Sequence, residues 1–203
     1  MNLLLEPLPQ SVWIDDIEYA LNTDFRTSIQ FELAMLDPEL SDTEKAETAL
    51  RLYYPNIPHD LEQATAALLA FYSGDRPEED KRGSGKARRQ KQIYSFAYDD
   101  EYIYAAFMDQ YGMDLNAMDY LHWWTFKALF KALREDMMMV KIMGFRSARI
   151  EEGMSKEQKG EIRKLHRLYD LPINHSQKQK DDAIAELLMN GGDIDAFLAE
   201  NRD

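Results

Sequence analysis

Two periods of hydrophobic patterning run along this chain. The stretch SVWIDDIEYALN (11–22) holds two short runs, Val12-Trp13-Ile14 and Ile17-Glu18-Tyr19, on either side of Asp15-Asp16. β-Branched and aromatic residues flanking a two-residue acidic turn predict a β-hairpin. Asp-Asp is a weaker turn pair than Asp-Gly, because the second residue must also accept a positive φ.

Beyond the hairpin the apolar period becomes helical. TDFRTSIQFELAML places Phe25, Ile29, Leu33 and Leu36 on one side, with Thr23 as the expected cap. SDTEKAETALRLYY starts with Ser41 and Glu44 in capping-box spacing, and Pro55 and Pro58 end its helix. DLEQATAALLAFYSG repeats the arrangement with Asp60 and Gln63 and stops at Gly74. Helices resume near Asp99 or Asp100 with EYIYAAFMDQYG, where Gly112 is the expected C-terminal stop. Asn116 and Asp119 suggest a box before the helix of DYLHWWTFKALFKAL, and Ser155 and Gln158 one before KEQKGEIRKLHRLYDL. A last helix is expected near 176–190, stopped by Gly191-Gly192, with Asp193 capping a short tail helix.

Between these blocks, GDRPEEDKRGSGKARRQKQ (74–92) offers no aliphatic side chain larger than alanine and no aromatic. Such a stretch has nothing to bury and reads as a linker. The expected architecture is mostly α, a multi-helix bundle-like fold with a short N-terminal β-hairpin. Residues 1–73 hold the hairpin and first helices, 74–95 a flexible basic linker, and 96–203 a helical part packed with the first as one unit.

Composition narrows the function classes. The chain has 203 residues and no cysteine, which removes disulfide scaffolds and Cys-ligated metal sites. No apolar run is long enough to span a bilayer. MNLLLEPLPQ lacks the basic start of a signal peptide and is interrupted by Pro7 and Pro9. A soluble, cytoplasmic protein is expected. The formal net charge is −13, with −10 in residues 1–73, +3 in 74–95, −2 in 96–150 and −4 in 151–203. An acidic body disfavours general nucleic-acid binding, since phosphate attraction is its main non-specific term.

The chemical motifs are weak. GSGK (83–86) has Asp80 where a phosphate-binding loop needs its first glycine and Ala87 where it needs Ser or Thr. KARRQKQ (86–92) has no interleaved aromatic for base stacking. None of His59, His122, His166 and His175 lies in a His-Glu-x-x-His pattern. His166 and Asp170 share a helix face at i, i+4, yet lack a third ligand nearby. Glu151-Glu152 and Asp181-Asp182 are adjacent pairs and point apart on a helix. No cofactor or metal is expected, and no enzyme.

DYLHWW still poses a question, because a histidine beside two tryptophans could form a pocket or a packed core. On a helical wheel His122 falls with Phe126, Leu129 and Leu133 on the apolar stripe, the place of a neutral core histidine. Trp124 falls with Lys127, Lys131 and Glu135, so it is either covered by another helix or offered to a partner. REDMMMVKIMGF adds Met137, Met138, Met139 and Met143, adaptable side chains that fill cores or grip irregular helices. Trp124 and these four methionines are the candidate partner contacts.

Leu21-Asn22-Thr23-Asp24-Phe25-Arg26 after the hairpin, FYSG at 71–74, YIYAAFMDQYGMDL at 102–115 and LHWWTFKALF at 121–130 resemble the Gp-fifteen family of tailed-phage and prophage proteins. The resemblance covers roughly residues 11 to 170, and the family's usual Asp-Gly turn is replaced by Asp15-Asp16. It implies a phage morphogenesis protein, non-enzymatic and similar to tail assembly chaperones. The implied partners are the tape-measure protein and also tail-tube subunits made of the major tail protein, met in the host cytoplasm during assembly. It brings no catalytic residues. The rival readings are a minor structural component of the virion, a metal-dependent enzyme built on His122 and His166, and a nucleic-acid adaptor working through 81–92.

Overall fold

The computed structural model describes residues 3–74 and 92–172. Within them lie a hairpin of β1 (Ser11–Ile14) and β2 (Ile17–Ala20) and seven helices. These are α1 (Phe25–Leu36), α2 (Asp42–Tyr53), α3 (Leu61–Ser73), α4 (Asp100–Tyr111), α5 (Trp123–Lys131), α6 (Met138–Ser147) and α7 (Lys156–Tyr169). The fold is mostly α, as the patterning predicts. Among the described residues no helix is long and apolar enough to cross a membrane. The expected helices at 176–190 and after Asp193 lie outside the described residues.

The hairpin pairs Ile14 with Ile17 around Asp15 and Asp16, whose φ angles are 47° and 61°. Two consecutive left-handed residues match the right-handed twist of the strands. Aspartate tolerates that region better than most side chains. Gln63 at the start of α3 donates to the Asp15 carboxylate at 2.9 Å, which ties the turn to the helices.

Several helix ends follow the expected chemistry. Ser41–Glu44 and Ser155–Gln158 form reciprocal capping boxes. Asp60 caps α3 by accepting from the Gln63 backbone. Gly74 and Gly112 end α3 and α4 with φ of 91° and 63°. Two starts differ. Asp24, not Thr23, caps α1, accepting from the Arg26 backbone at 3.0 Å. Thr23 is buried and bonds the side chains of Gln10 and Tyr120, both at 2.8 Å. Asn116 and Asp119 form no box. Asp114 governs that turn, accepting from the Asn116 and Ala117 backbones and from the Tyr104 hydroxyl. The helix of the HWW stretch begins only at Trp123 and ends at Lys131, so a wheel drawn from Asp119 to Leu133 overextends it.

The strands entering α1 and α5 meet in a single bridge. Phe25 N donates to Leu121 O and Trp123 N to Thr23 O, both at 2.8 Å. Leu121 N in turn donates to the Asp24 carboxylate at 3.0 Å. This fixes the two helix starts together and lets their aromatic rings stack. Phe126 lies 5.0 Å from Phe25 and 4.9 Å from Phe107, with interplanar angles of 12° and 10°. Trp123 and Phe130 extend the same stack. Offset aromatic stacks bury large area in a fixed geometry, so one residue, Phe126, joins α1, α4 and α5 at the centre of the core.

The stretch 74–95 divides. Residues 75–91 lie outside the described residues. Gly74 belongs to the end of α3, and Ser95 is buried while Tyr94 packs against Phe96 and Phe130. The core therefore takes up the chain again by Tyr94.

Candidate partner-binding groove

The end of α3 meets the start of α5, and the contact explains the HWW sequence. The last carbonyls of a helix have no partner within it. Trp124 Nε1 donates to Phe71 O at 2.7 Å, and Trp123 Nε1 to Tyr72 O at 2.9 Å. Lys127 Nζ donates to Tyr72 O at 2.9 Å and Ser73 O at 3.0 Å. Each indole also stacks on the ring beneath it, Trp124 on Phe71 and Trp123 on Tyr72. A cation at a helix C-terminus also meets the negative end of its dipole. The two tryptophans and the lysine thus finish α3 from outside.

His122 is not inside the helix but caps it. Its Nδ1 accepts from Trp124 N at 3.0 Å, so the ring hydrogen is on Nε2, which donates to Pro9 O at 3.0 Å. Burial pushes the imidazole below its ordinary pKa, against the opposing pull of the Pro9 bond. Both ring nitrogens are engaged in these two bonds. His122 is buried and hydrogen-bonded, as its apolar position suggested, but the role is capping rather than mid-helix packing.

Trp124, weighed as covered or offered, is covered: only 7% of it is exposed. Met137 and Met139 are buried as well, at 8% and 0% exposed. These three are not accessible for docking in this conformation: Trp124 is stacked on Phe71, and Met137 and Met139 enter the core at the start of α6. Met138 is exposed at 37%, and Met143 is partly covered.

Met143 belongs to a groove. A cavity of about 570 Å³ opens beside α5 and α6, with Trp123, Phe126 and Phe130 from α5 and Val140 and Met143 from α6. Tyr94 and Phe96 line it from the segment before α4, and Lys131 is the exposed cation of its lining. On the other flank of α5, Trp124, Ala128 and Leu3 line a smaller hollow of about 240 Å³ that shares Lys127 and Lys131. The two tryptophans therefore face opposite flanks of a lysine-bearing ridge. Tyr72, also lining the larger groove, donates to the half-buried Glu32 carboxylate at 2.6 Å. Burial raises Glu32, and burial together with that carboxylate raises the Tyr72 phenol. Tyr94 is raised to about 12, first by burial. The raised hydroxyls of Tyr72 and Tyr94 stay neutral at ordinary pH, and that of Tyr72 donates to Glu32. Groove chemistry of this kind, apolar with a few oriented polar atoms, suits an amphipathic helix.

The remaining candidates do not converge. His166 pairs with Asp170 at 3.4 Å and bonds Ala148 O at 3.1 Å, a local clasp of α7 onto the end of α6. His59 is exposed. His175, GSGK and most of KARRQKQ lie outside the described residues. Among the described residues no group of three or more His, Asp or Glu side chains could hold a metal ion.

One pair escaped the motif reading. Arg146 and Asp99 form an ion pair that is buried within the fold. Its trace in the sequence is that Arg146 falls on the helical stripe of Met139 and Ile142, where a charge requires a partner.

The chain matches the family described as Bacteriophage Gp15 protein over residues 4–171. No curated protein and no solved structure matches it.

Proposed function

The chain belongs to the bacteriophage Gp15 protein family, and from that premise we propose that it acts as a tail assembly chaperone, by binding and without catalysis. Its partner in this reading is an amphipathic helix of the tape-measure protein, with tail-tube subunits as a second client. The supporting observation is the groove between α5 and α6, floored by aromatic rings and walled by Val140 and Met143. A long helical partner polymerises or aggregates through its apolar faces, and a groove of this composition covers such a face. Methionine adapts to irregular surfaces, and the −13 net charge keeps a complex dispersed. Binding would take place in the host cytoplasm before the tail is built.

Co-expression with the tape-measure protein encoded by the same phage tests the reading. A co-purifying complex and a gain in tape-measure solubility are expected. Absence of both rejects it. Mass spectrometry of purified particles separates a chaperone, which is absent from them, from a structural component, which stays.

A further inference from the structure

Phe96 and Phe126 line the groove beside α5 and α6, and they also line a second hollow. This one has a volume of about 440 Å³, is open to solvent and is bordered by α1 and α4. Phe25 and Ile29 of α1 add apolar surface to it, and Arg26, Asp100, Glu101 and Asn116 add polar groups. Asp100 and Tyr104 lie one turn apart on a single face of α4, with Glu101 at its edge.

Arg26 does not set the charge of this hollow. Its Nη1 pairs with the Asp24 carboxylate at 3.2 Å, and its Nη2 donates to Leu115 O and Met118 O, both at 2.7 Å. Its guanidinium also lies over the Phe25 ring, 4.6 Å from the centroid. Asp100 and Glu101 are exposed, and neither carboxylate has a hydrogen-bond or ion-pair partner among the described residues. The same holds for the Asn116 side-chain amide. The hollow therefore sets aromatic and aliphatic surface beside two unmatched carboxylates. The groove beside α5 has the opposite sign, with Lys131 as its exposed cation.

We propose that the hollow between α1 and α4 is a second docking site, and that it takes an arginine-bearing apolar segment of a partner protein. The arginine's methylenes lie against Phe25 and Ile29, and its guanidinium meets Asp100 and Glu101, with the Asn116 amide oxygen as a further acceptor. Long basic side chains cover apolar surface in this way while the charged head stays at the rim. A guanidinium holds five donors in a fixed fork, which suits several acceptors at once better than an ammonium does. Charge selects the occupant. The chain carries −13 in all and −10 in residues 1–73, which include α1. Its field draws a basic segment in and repels a second copy. The site is distinct from the groove proposed for the tape-measure helix and does not depend on that reading.

Fluorescence anisotropy with the full chain tests it. The probes are short labelled peptides with one arginine among leucines and valines, and the same peptides with glutamine in its place. The arginine peptides should bind at least about tenfold more tightly at low salt, and the difference should narrow as salt rises. Asp100→Asn/Glu101→Gln should remove most of that difference with the melting temperature unchanged, since both side chains are exposed and without partners among the described residues. Glu157→Gln/Glu161→Gln removes as much charge outside the hollow and should leave the difference in place. Arginine peptides that bind no more tightly than the glutamine ones overturn the proposal. An equal loss in the two variants overturns it in favour of diffuse attraction to the acidic body. Self-association that Asp100→Asn/Glu101→Gln abolishes overturns it in favour of a second copy.

Discussion

Arg146 donates through both terminal nitrogens to the two carboxylate oxygens of Asp99, at 2.6 and 2.8 Å, with 5% and 1% of the side chains exposed. The same guanidinium reaches Ile93 O at 3.1 Å and Tyr169 O at 2.6 Å, and Asp99 also accepts from Ser95 N at 2.8 Å. One buried arginine thus holds the approach to α4, the start of α4 and the end of α7 onto α6. We expect Arg146→Met to cost about 3–5 kcal/mol, because it strands the Asp99 charge away from water. Asp99→Leu/Arg146→Met should cost less than the single change. Urea denaturation of the three proteins measures both differences. A double variant no more stable than the single would mean that the three bonds to backbone atoms, and not the stranded charge, dominate.

His122 gives the protein a pH-dependent joint. Its neutral ring accepts from Trp124 N and donates to Pro9 O, and burial depresses its pKa below the ordinary 6.5. The folded state therefore binds the proton less readily than the unfolded chain. The contribution to stability is complete above about pH 6.5 and is lost as pH falls from there through the lower folded value. His122→Gln should cost on the order of 1–2 kcal/mol at neutral pH. The difference between wild type and variant should shrink as pH drops from 7 to 5. Melting curves across that range decide it, and a constant difference would show that the imidazole does not titrate with folding.

The hairpin turn carries strain that one substitution removes. Asp15 and Asp16 both have positive φ, and the Asp15 carboxylate accepts from Gln63. Asp16→Gly should stabilise the protein by up to about 1 kcal/mol, since a non-glycine residue in the left-handed region costs roughly 1–2 kcal/mol and aspartate somewhat less. Asp15→Gly should gain less, or lose, because the bond to α3 disappears. Thermal melting of the two variants side by side gives the comparison.

Which features were legible in the sequence follows from their range. Ser41–Glu44, Ser155–Gln158 and Gly112 are local arrangements, decided within one turn of helix, and each was readable where it stands. The positions of Trp123 and Trp124 were not, because they depend on the carbonyls of Tyr72 and Phe71 some fifty residues earlier, and that of His122 depends on the distant Pro9 carbonyl. A wheel drawn through DYLHWWTFKALFKAL assumes that the helix begins before His122. The bridge between Thr23 and Trp123 ends the preceding segment as extended chain instead. The methionine stretch misled for a related reason. Its residues were grouped by sequence, whereas α6 sends Met137 and Met139 inward, Met138 outward and Met143 to the groove.

That division lets folding and binding be separated on a single helix. Met143 lines the groove and is partly covered, while Met138 is exposed and does not line it. A carboxylate introduced at Met143 would have to be desolvated under a bound apolar helix, whereas one at Met138 would remain in water. Met143→Glu should therefore weaken binding of a tape-measure helix at least about tenfold, equal to roughly 1.4 kcal/mol. Met138→Glu should change it less than about threefold, since surface substitutions outside a contact are near neutral. Trp124→Ala serves as the folding control. It removes a stacked, hydrogen-bonded core ring and should lower stability by about 3–5 kcal/mol. Affinity by calorimetry and melting temperature must be read together. Met143→Glu should lose affinity with a nearly unchanged melting temperature, and Trp124→Ala should lower both. Equal losses of affinity at Met138 and Met143, with melting intact, would move the contact off the groove and onto the outer face of α6.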